Sequence, residues 1–420
     1  MKVKQFLISF LLVFMIFQDS IIDFTKINIL SYVDELIVTI LILLALFNIF
    51  SKKKINTITA KLLISTIIFS IIGISSCYIN SKFILSRVII SNFLVIKFWL
   101  LIIAIINLNI SEDIRKCILK CIKVIGSICG FFAIFNFLLP NIYISIFTFV
   151  PAGTRFGLNV VSALFNHPGK YGWFMLLVAL IYLSEYHSQK EKKKLKYFLL
   201  FSLFAILSFR TKVLIALVVI GVYILKDLLK SKKNFTYVVI IFVVLCMFAF
   251  IFREYIFNTY TLYFTAEKGY SARQALLDNS IEIIKDYFPL GVGFGQYGSW
   301  YARLYYSEYY YKYDMNTIWG LYPSSPEFAT DTFWPAILGE TGIIGVIVYM
   351  YMIYCIYNFI NNQYNKDKKN TYLFLAKFAI IQTICESFGE PSLNSAPQNI
   401  VVAVIVGIAI NSLKEKNKNE

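Results

Sequence analysis

The stretch LIVTILILLALFNIFSKKK, residues 36–54, decides the fold class of this chain. It is an almost unbroken apolar run that ends in three lysines. About 20 apolar residues of helix cross the hydrocarbon core of a bilayer, and basic residues collect where a span meets the cytoplasm. The segment therefore predicts a transmembrane helix, with limits near 34–50, that runs towards the cytoplasm.

The composition extends this prediction to the whole chain. The 420 residues are 58% hydrophobic with a mean hydropathy of +0.68, which is above the range of soluble proteins. The formal net charge is +16, but the lysines lie mostly in short connections, so we interpret the charge as a topology signal and not as a nucleic-acid surface. The seven cysteines include no CxxC pair, so we expect neither disulfides nor a metal site or cofactor.

The same pattern predicts an all-α polytopic membrane protein with about 12 transmembrane helices. The approximate limits are 5–22, 34–50, 62–80, 88–108, 118–139, 170–186, 196–209, 213–228, 235–253, 332–359, 372–388 and 397–413. The lysine-rich connections fall on one side, so both termini are predicted to be cytoplasmic. The organisation is 1–253 with nine spans, a large outer (periplasmic or extracellular) loop at 254–331, and 332–420 with three spans and a tail.

The arginines have an unusual distribution in this topology. Seven arginines accompany thirty-three lysines, and six of the seven fall on the outer side, against the usual bias. They are Arg87, Arg155, Arg210, Arg253, Arg273 and Arg303. Because arginine binds phosphate in a bidentate manner, this set predicts an anionic, membrane-borne substrate outside the cytoplasm.

Two of the short outer segments carry candidate binding residues. The hairpin at 196–228 is short for two spans, which puts Arg210 at headgroup depth, where a lipid-linked phosphate or simple snorkelling would satisfy it. Arg155 and a glycine-containing turn come before a predicted helix start, and such starts favour anions. His167 stands at that start as either a general base or a polar cap.

The predicted large loop opens with an amphipathic helix that has Arg273 in its first turn. The glycine run at 291–295 lacks the context of a phosphate loop, so we interpret it as a turn that allows close backbone packing. The tyrosine- and tryptophan-rich stretch that follows fits an interfacial belt, an ordinary core or a groove that stacks on sugar rings. The groove candidates are Trp300, Tyr301 and Arg303.

Four charged residues lie in or next to predicted spans. Asp331 could cap a helix or act on a substrate hydroxyl as a general base. Glu340 lies more than two turns deeper and is costly there unless it faces a polar cavity. Lys97 and Lys377 are further intramembrane candidates, although both could snorkel.

Four motifs in this order resemble the bacterial O-antigen and capsule polymerases (Wzy type) and the related O-antigen ligases. The motifs are Arg155-Phe-Gly with Phe165-Asn-His167-Pro, Leu207-Ser-Phe-Arg210-Thr-Lys212, Ser271-Ala-Arg273 with Pro289-Leu-Gly-Val-Gly, and Asp331-Thr-Phe-Trp with Gly339-Glu-Thr-Gly-Ile-Ile-Gly. The resemblance covers about residues 155–345. Ligases of this group carry a His-Asn pair where this chain has Asp331-Thr332, which favours a polymerase.

The resemblance implies an enzyme of the bacterial cytoplasmic membrane that polymerises undecaprenyl-diphosphate-linked oligosaccharide repeat units for O-antigen or capsule. The implied catalytic residues are Arg210, Arg273 and Asp331. The implied substrate-binding residues are Arg155, His167, Lys212, Trp300, Tyr301 and Arg303. Such enzymes use no metal or nucleotide sugar, and their partners are membrane lipid and a candidate chain-length regulator, with no nucleic acid. Two alternatives are an O-antigen ligase that uses lipid A core as its acceptor and a lipid-linked oligosaccharide flippase.

Overall fold

A computed structural model describes residues 2–52, 55–155, 157–228, 253, 257 and 271–419, and these are mostly helical. The α-helices are α1 Lys2–Thr25, α2 Val33–Lys52, α3 Thr57–Asn80, α4 Leu85–Asn107, α5 Glu112–Leu138, α6 Pro140–Ile146, α7 Pro168–Gln189, α8 Lys192–Ile206, α9 Thr211–Leu228, α10 Ala272–Tyr287, α11 Trp300–Leu304, α12 Glu308–Lys312, α13 Trp334–Lys366, α14 Thr371–Ser387 and α15 Gln398–Asn419. Strands β1 Thr154–Arg155 and β2 Leu158–Asn159 form an antiparallel hairpin.

Six of the described helices are long and apolar enough to cross a membrane. They are α1, α2, α3, α4, α5 and α13. This confirms a mainly helical chain with several candidate spans, as the apolar runs predict. Five further predicted spans coincide with α7, α8, α9, α14 and α15. Because the predicted span 235–253 lies almost wholly outside the described residues, the total of twelve and the outer position of the large loop stay predictions.

Helix α7 lies at the centre of the packing. Its residues 171–181 are buried on every side, which is expected for a helix that is apolar all round. It packs against α5, α8, α9 and α14. The N-terminal end of α7, which begins after His167, is therefore held in place by several neighbouring helices.

The first helices are tied to α4 by buried charges. Nζ of Lys97 lies 2.9 Å from Oδ2 of Asp34 and 2.9 Å from Oε1 of Glu35, and Gln18 donates to the other oxygen of Asp34 at 3.0 Å. A buried charge is tolerated when it is paired and hydrogen-bonded. Lys97 is therefore an ion-pair partner between helices, where the sequence had also allowed snorkelling.

The described part of the predicted large loop folds around a small core of its own. Helix α10 contributes Leu276 and Ile283 to this core, and the tyrosine-rich stretch contributes the fully buried Tyr297 and Tyr310. The glycine run joins this unit to α13 through backbone hydrogen bonds from the amides of residues 292 and 293 to the carbonyls of residues 339 and 340, at 2.9 and 2.8 Å.

The side chain of Glu340 completes this junction. Its Oε1 accepts hydrogen bonds from three successive backbone amides, those of Gly295, Gln296 and Tyr297, at 2.8, 3.0 and 3.2 Å. Glu340 is only 1% exposed. One oxygen of the acid that the sequence marked as costly is thus satisfied by backbone amides of the loop, residues 295–297.

The close approach at the junction requires glycine at position 293. Gly293 has φ of +93°, and a Cβ there would lie 2.2 Å from Cα of Cys77 on α3. We therefore expect Gly293→Ala to lower the free energy of unfolding by about 2 kcal/mol or more, through a backbone clash and an unfavourable φ.

The measurement is the melting temperature of purified protein in detergent, followed by size-exclusion elution. Gly153→Ala is the matched control, because no described atom lies within 4 Å of the Cβ it would add. A Gly293→Ala protein as stable as the control would contradict the packing described here.

Candidate functional site

A tight turn between α8 and α9 places Arg210. Phe209 adopts φ of +45° in this turn, a conformation that is uncommon for residues other than glycine. Nη1 of Arg155 donates to the carbonyl of Phe209 at 2.9 Å, and the amide of Val161 donates to the carbonyl of Leu207 at 3.0 Å. The segment that contains β1 and β2 is thereby docked on the turn, so the predicted binding residues Arg155 and Arg210 lie side by side.

His167 forms the start of α7. Its Nδ1 accepts a hydrogen bond from the amide of Gly169 at 3.1 Å, which is the geometry of a helix N-cap. Of the two roles that the sequence allowed, the structure displays the cap. Nδ1 is therefore an acceptor, and a neutral ring carries its proton on Nε2.

Cations from three helix starts surround this histidine. Burial and then the positive charges of Arg210, Lys212, Lys170 and Arg273 lower the pKa of His167 from 6.5 to about 3. The imidazole is consequently neutral at pH 7. A group with so low a pKa is also a weak proton acceptor, so the histidine is better suited to capping than to base catalysis.

The large loop contributes Arg273 to this cluster, and this arginine forms an ion pair. Nε of Arg273, in the first turn of α10, lies 2.5 Å from Oδ2 of Asp331, just before α13. Both side chains are about one-third exposed, at 34% and 31%. Two of the predicted catalytic residues are thus direct partners, and Asp331 already engages a cation.

Two acids that the sequence analysis did not single out form ion pairs with two of these cations. Lys170 forms an ion pair with Asp19 on α1, and Lys212 forms one with Glu390, which follows α14. Both acids lie inside or just beyond a predicted span. The cost of an acid at such a position is the sequence signal that could have found them.

The three predicted groove residues lie on α11, in a different environment. The Tyr301 ring stacks on Tyr305 with centroids 5.6 Å apart, and the Arg87 guanidinium lies 3.8 Å from the centre of the Tyr305 ring. Trp300 is 43% exposed, and Arg303 is partly buried. None of the hydrogen bonds or ion pairs found within the described ranges joins these three to the cluster around His167. Their role in substrate binding stays a prediction.

The aromatic stretch contains both buried core residues and exposed residues. Tyr297, Tyr309 and Tyr310 are buried core residues, whereas Trp300 and Trp319 are exposed. The hydroxyls of the buried tyrosines bond within the fold, for example Tyr297 to the carbonyl of Leu276 at 2.6 Å. Only the exposed members remain candidates for contact with a sugar.

The low pKa of His167 predicts how the stability of the fold changes as the pH falls. Its folded pKa lies below its unfolded value, so the neutral form stabilises the fold, fully so above pH 6.5. This contribution is lost as the pH falls from 6.5 towards 3. We expect the melting temperature of the wild type to fall more steeply over this range than that of His167→Gln, in which the titrating ring is absent. Parallel curves for the two proteins would contradict the assignment.

Residues 197–350 match the family model described as O-antigen ligase (Wzy_C). The matched region runs from α8 into α13 and contains Arg210, Lys212, Arg273 and Asp331, whereas His167 lies before it. No curated protein matches the sequence. With this domain the chain is consistent with a member of the O-antigen ligase-related superfamily, whose members are membrane glycosyltransferase-like polymerases and ligases.

Proposed function

We propose that this protein polymerises undecaprenyl-diphosphate-linked oligosaccharide units at the outer face of the bacterial cytoplasmic membrane, with both termini in the cytoplasm. The growing glycan leaves one lipid diphosphate and joins a sugar hydroxyl of another lipid-linked unit. The observation that carries this proposal is the cluster of Arg210, Lys212, Lys170 and Arg273 around His167. Such a concentration of cations suits a diphosphate.

Helix geometry adds to the attraction of this cluster for an anion. The cations stand in or just before the first turns of α7, α9 and α10, and helix N-termini carry partial positive charge and unsatisfied amides. The negative charge on the diphosphate grows as the glycosidic bond breaks. Groups held in position before the reaction stabilise that charge without reorganising, which is a large source of catalysis.

Asp331 and Arg273 have a joint role in this proposal. Asp331 holds the guanidinium of Arg273 in the cluster. When a diphosphate binds Arg273, the carboxylate can turn to an acceptor hydroxyl and orient it for attack. The exposed aromatic residues, such as Trp300 on α11, would guide the glycan, whereas Tyr301 is buried beside it. A chain-length regulator is a candidate partner.

The second candidate function is an O-antigen ligase that transfers glycan to lipid A core. The description of the matched family favours it. The polymerase is preferred because Asp331-Thr332 stands where the ligases resembled by this chain carry His-Asn. A flippase, the third alternative, would bind its substrate without breaking the glycosidic bond.

Removal of Arg210 should abolish chain growth. We expect Arg210→Ala to lower the polymerisation rate by about 100-fold or more, because one electrostatic contact to the leaving diphosphate is lost. The measurement is the length distribution of surface polysaccharide in a deletion strain complemented with the wild type or the variant. The matched control is Lys285→Ala, which removes a cation that is 63% exposed on α10.

Each function gives a different result in this strain. A single repeat unit after deletion, extended again by the wild type and by Lys285→Ala only, supports the polymerase. Long polymer that stays lipid-linked after deletion points to the ligase. Repeat units that accumulate on the inner leaflet would overturn both, in favour of the flippase.

The ion pair between Arg273 and Asp331 predicts non-additive effects. We expect a loss of about 100-fold in rate for Arg273→Ala and about tenfold for Asp331→Asn, with the double variant no slower than Arg273→Ala. The physical reason is that the two residues act as a unit: diphosphate binding to Arg273 is the event that brings the carboxylate to the acceptor hydroxyl, so Asp331 has no further effect once that guanidinium is gone. Rates measured on purified protein in proteoliposomes test this cycle, and additive losses would show that Asp331 acts independently.

A further inference from the structure

Lys212 is held between two parts of the site. Its ammonium forms an ion pair with Glu390, and the two side chains are only 12% and 11% exposed. A Cβ added to Gly169 would lie 2.7 Å from Nζ of Lys212 and 2.9 Å from Nδ1 of His167. Nζ therefore lies over the first turn of α7, where the helix dipole favours an anion and disfavours a cation.

Glu390 has a second acid beside it. Glu386, in the last turn of α14, is 0% exposed and close enough to feel the charges of both Glu390 and Lys212. Its Oε1 accepts from Gln382 at 3.1 Å. Its Oε2 is buried, and within the described residues no hydrogen bond reaches it. Two buried carboxylates thus share one lysine.

Hydrogen bonds connect the segment that contains Glu386 and Glu390 to α13 and α15. Gln398 on α15 donates to Oε1 of Glu390 at 2.9 Å, and Nε1 of Trp334 donates to Oγ of Ser387 at 2.9 Å. Because Trp334 opens α13, three residues after Asp331, the two acids are fixed in position near the Arg273–Asp331 pair.

We propose that Glu390 is the proton acceptor for the acceptor hydroxyl and that binding of the lipid diphosphate activates it by drawing Lys212 away. This inference rests on the proposed glycosyl transfer and names its base. In the structure Lys212 is paired with Glu390. A diphosphate at the start of α7 competes for the ammonium, and Glu390 then faces Glu386 without a counter-ion. Two such carboxylates favour the uptake of one proton.

The reaction balances without any other reactant. The acceptor oxygen forms a bond to the anomeric carbon as the bond from that carbon to the diphosphate oxygen breaks. The electron pair of the broken bond leaves with the lipid diphosphate, and the hydroxyl proton passes to a carboxylate oxygen of Glu390. Release of the lipid diphosphate returns Lys212 to Glu390, and the proton leaves to water.

The charged groups around Glu390 agree with this order of events. Glu386 lies in the last turn of α14, just before Glu390, and Lys212 comes from the start of α9. His167 lies beside Lys212 at the start of α7. His167 is neutral at pH 7, as its pKa of about 3 requires. Lys212 is thus the cation paired directly with Glu390, and Asp331 is engaged by Arg273.

The test compares binding and transfer in proteoliposomes. Undecaprenyl diphosphate is the binding probe, and the lipid-linked repeat unit extracted from the host is the substrate. We expect Glu390→Gln to bind undecaprenyl diphosphate at least as tightly as the wild type, since a competitor for Lys212 is removed. Its transfer rate should fall by about 100-fold or more, with Glu390→Asp partly active and the acid limb of the pH profile lost in Glu390→Gln.

The control is Glu185→Gln, which alters an acid of similar exposure, 13%, paired with Lys123 and Lys194 near the other end of α7. It should leave binding and rate unchanged. A Glu390→Gln protein with more than a third of wild-type activity would overturn the proposal. So would a parallel loss of binding and rate, which would make Glu390 only a positioning residue for Lys212.

Failure of the polymerase proposal gives a different result. If the wild type transfers glycan to lipid A core and not to a repeat unit, the polymerase is wrong, and the same variants test Glu390 in that ligation. If the wild type binds undecaprenyl diphosphate but transfers to neither acceptor, both proposals fall.

Discussion

The hydrogen bonds from three backbone amides to the carboxylate of Glu340 connect the folded loop to α13. Glu340 on α13 accepts hydrogen bonds from residues 295–297, and this joins the folded loop to the helical bundle. The junction adds to the direct packing of α10, which carries Arg273, against α13. A buried acid in a membrane protein often marks chemistry, but here its effect is architectural: it joins α13 to the folded loop that carries Arg273.

Three basic residues of the site each form an ion pair with an acid. Lys170 has Asp19, Lys212 has Glu390 and Arg273 has Asp331. Cations would repel one another if they gathered without such partners. An anionic ligand can replace these acids one by one as the partner of each basic residue. Binding then exchanges one ion pair for another, and no unpaired cation has to be buried in a region of low dielectric beforehand.

Local patterns in the sequence predicted the elements but not the partners. Apolar runs such as residues 36–50 predict helix because the bilayer imposes length and apolarity on each span. Arg210 stood out because lysine dominates elsewhere. Glu390 and Asp19 did not stand out, because their role depends on which lysine lies opposite them. Helix packing determines that partner. The tyrosines divide into core and surface for the same reason, and residue type alone does not distinguish the two.

The parts of this site come from almost the whole length of the chain. Asp19 belongs to α1, whereas Gln398, which holds Glu390, opens α15. A chain emerging from the ribosome therefore contains Lys212 long before its acid partner has been translated. Until Glu390 and Gln398 are made, that lysine must find lipid phosphate or water instead. The order of synthesis thus makes the site complete only once the final described helices have been made.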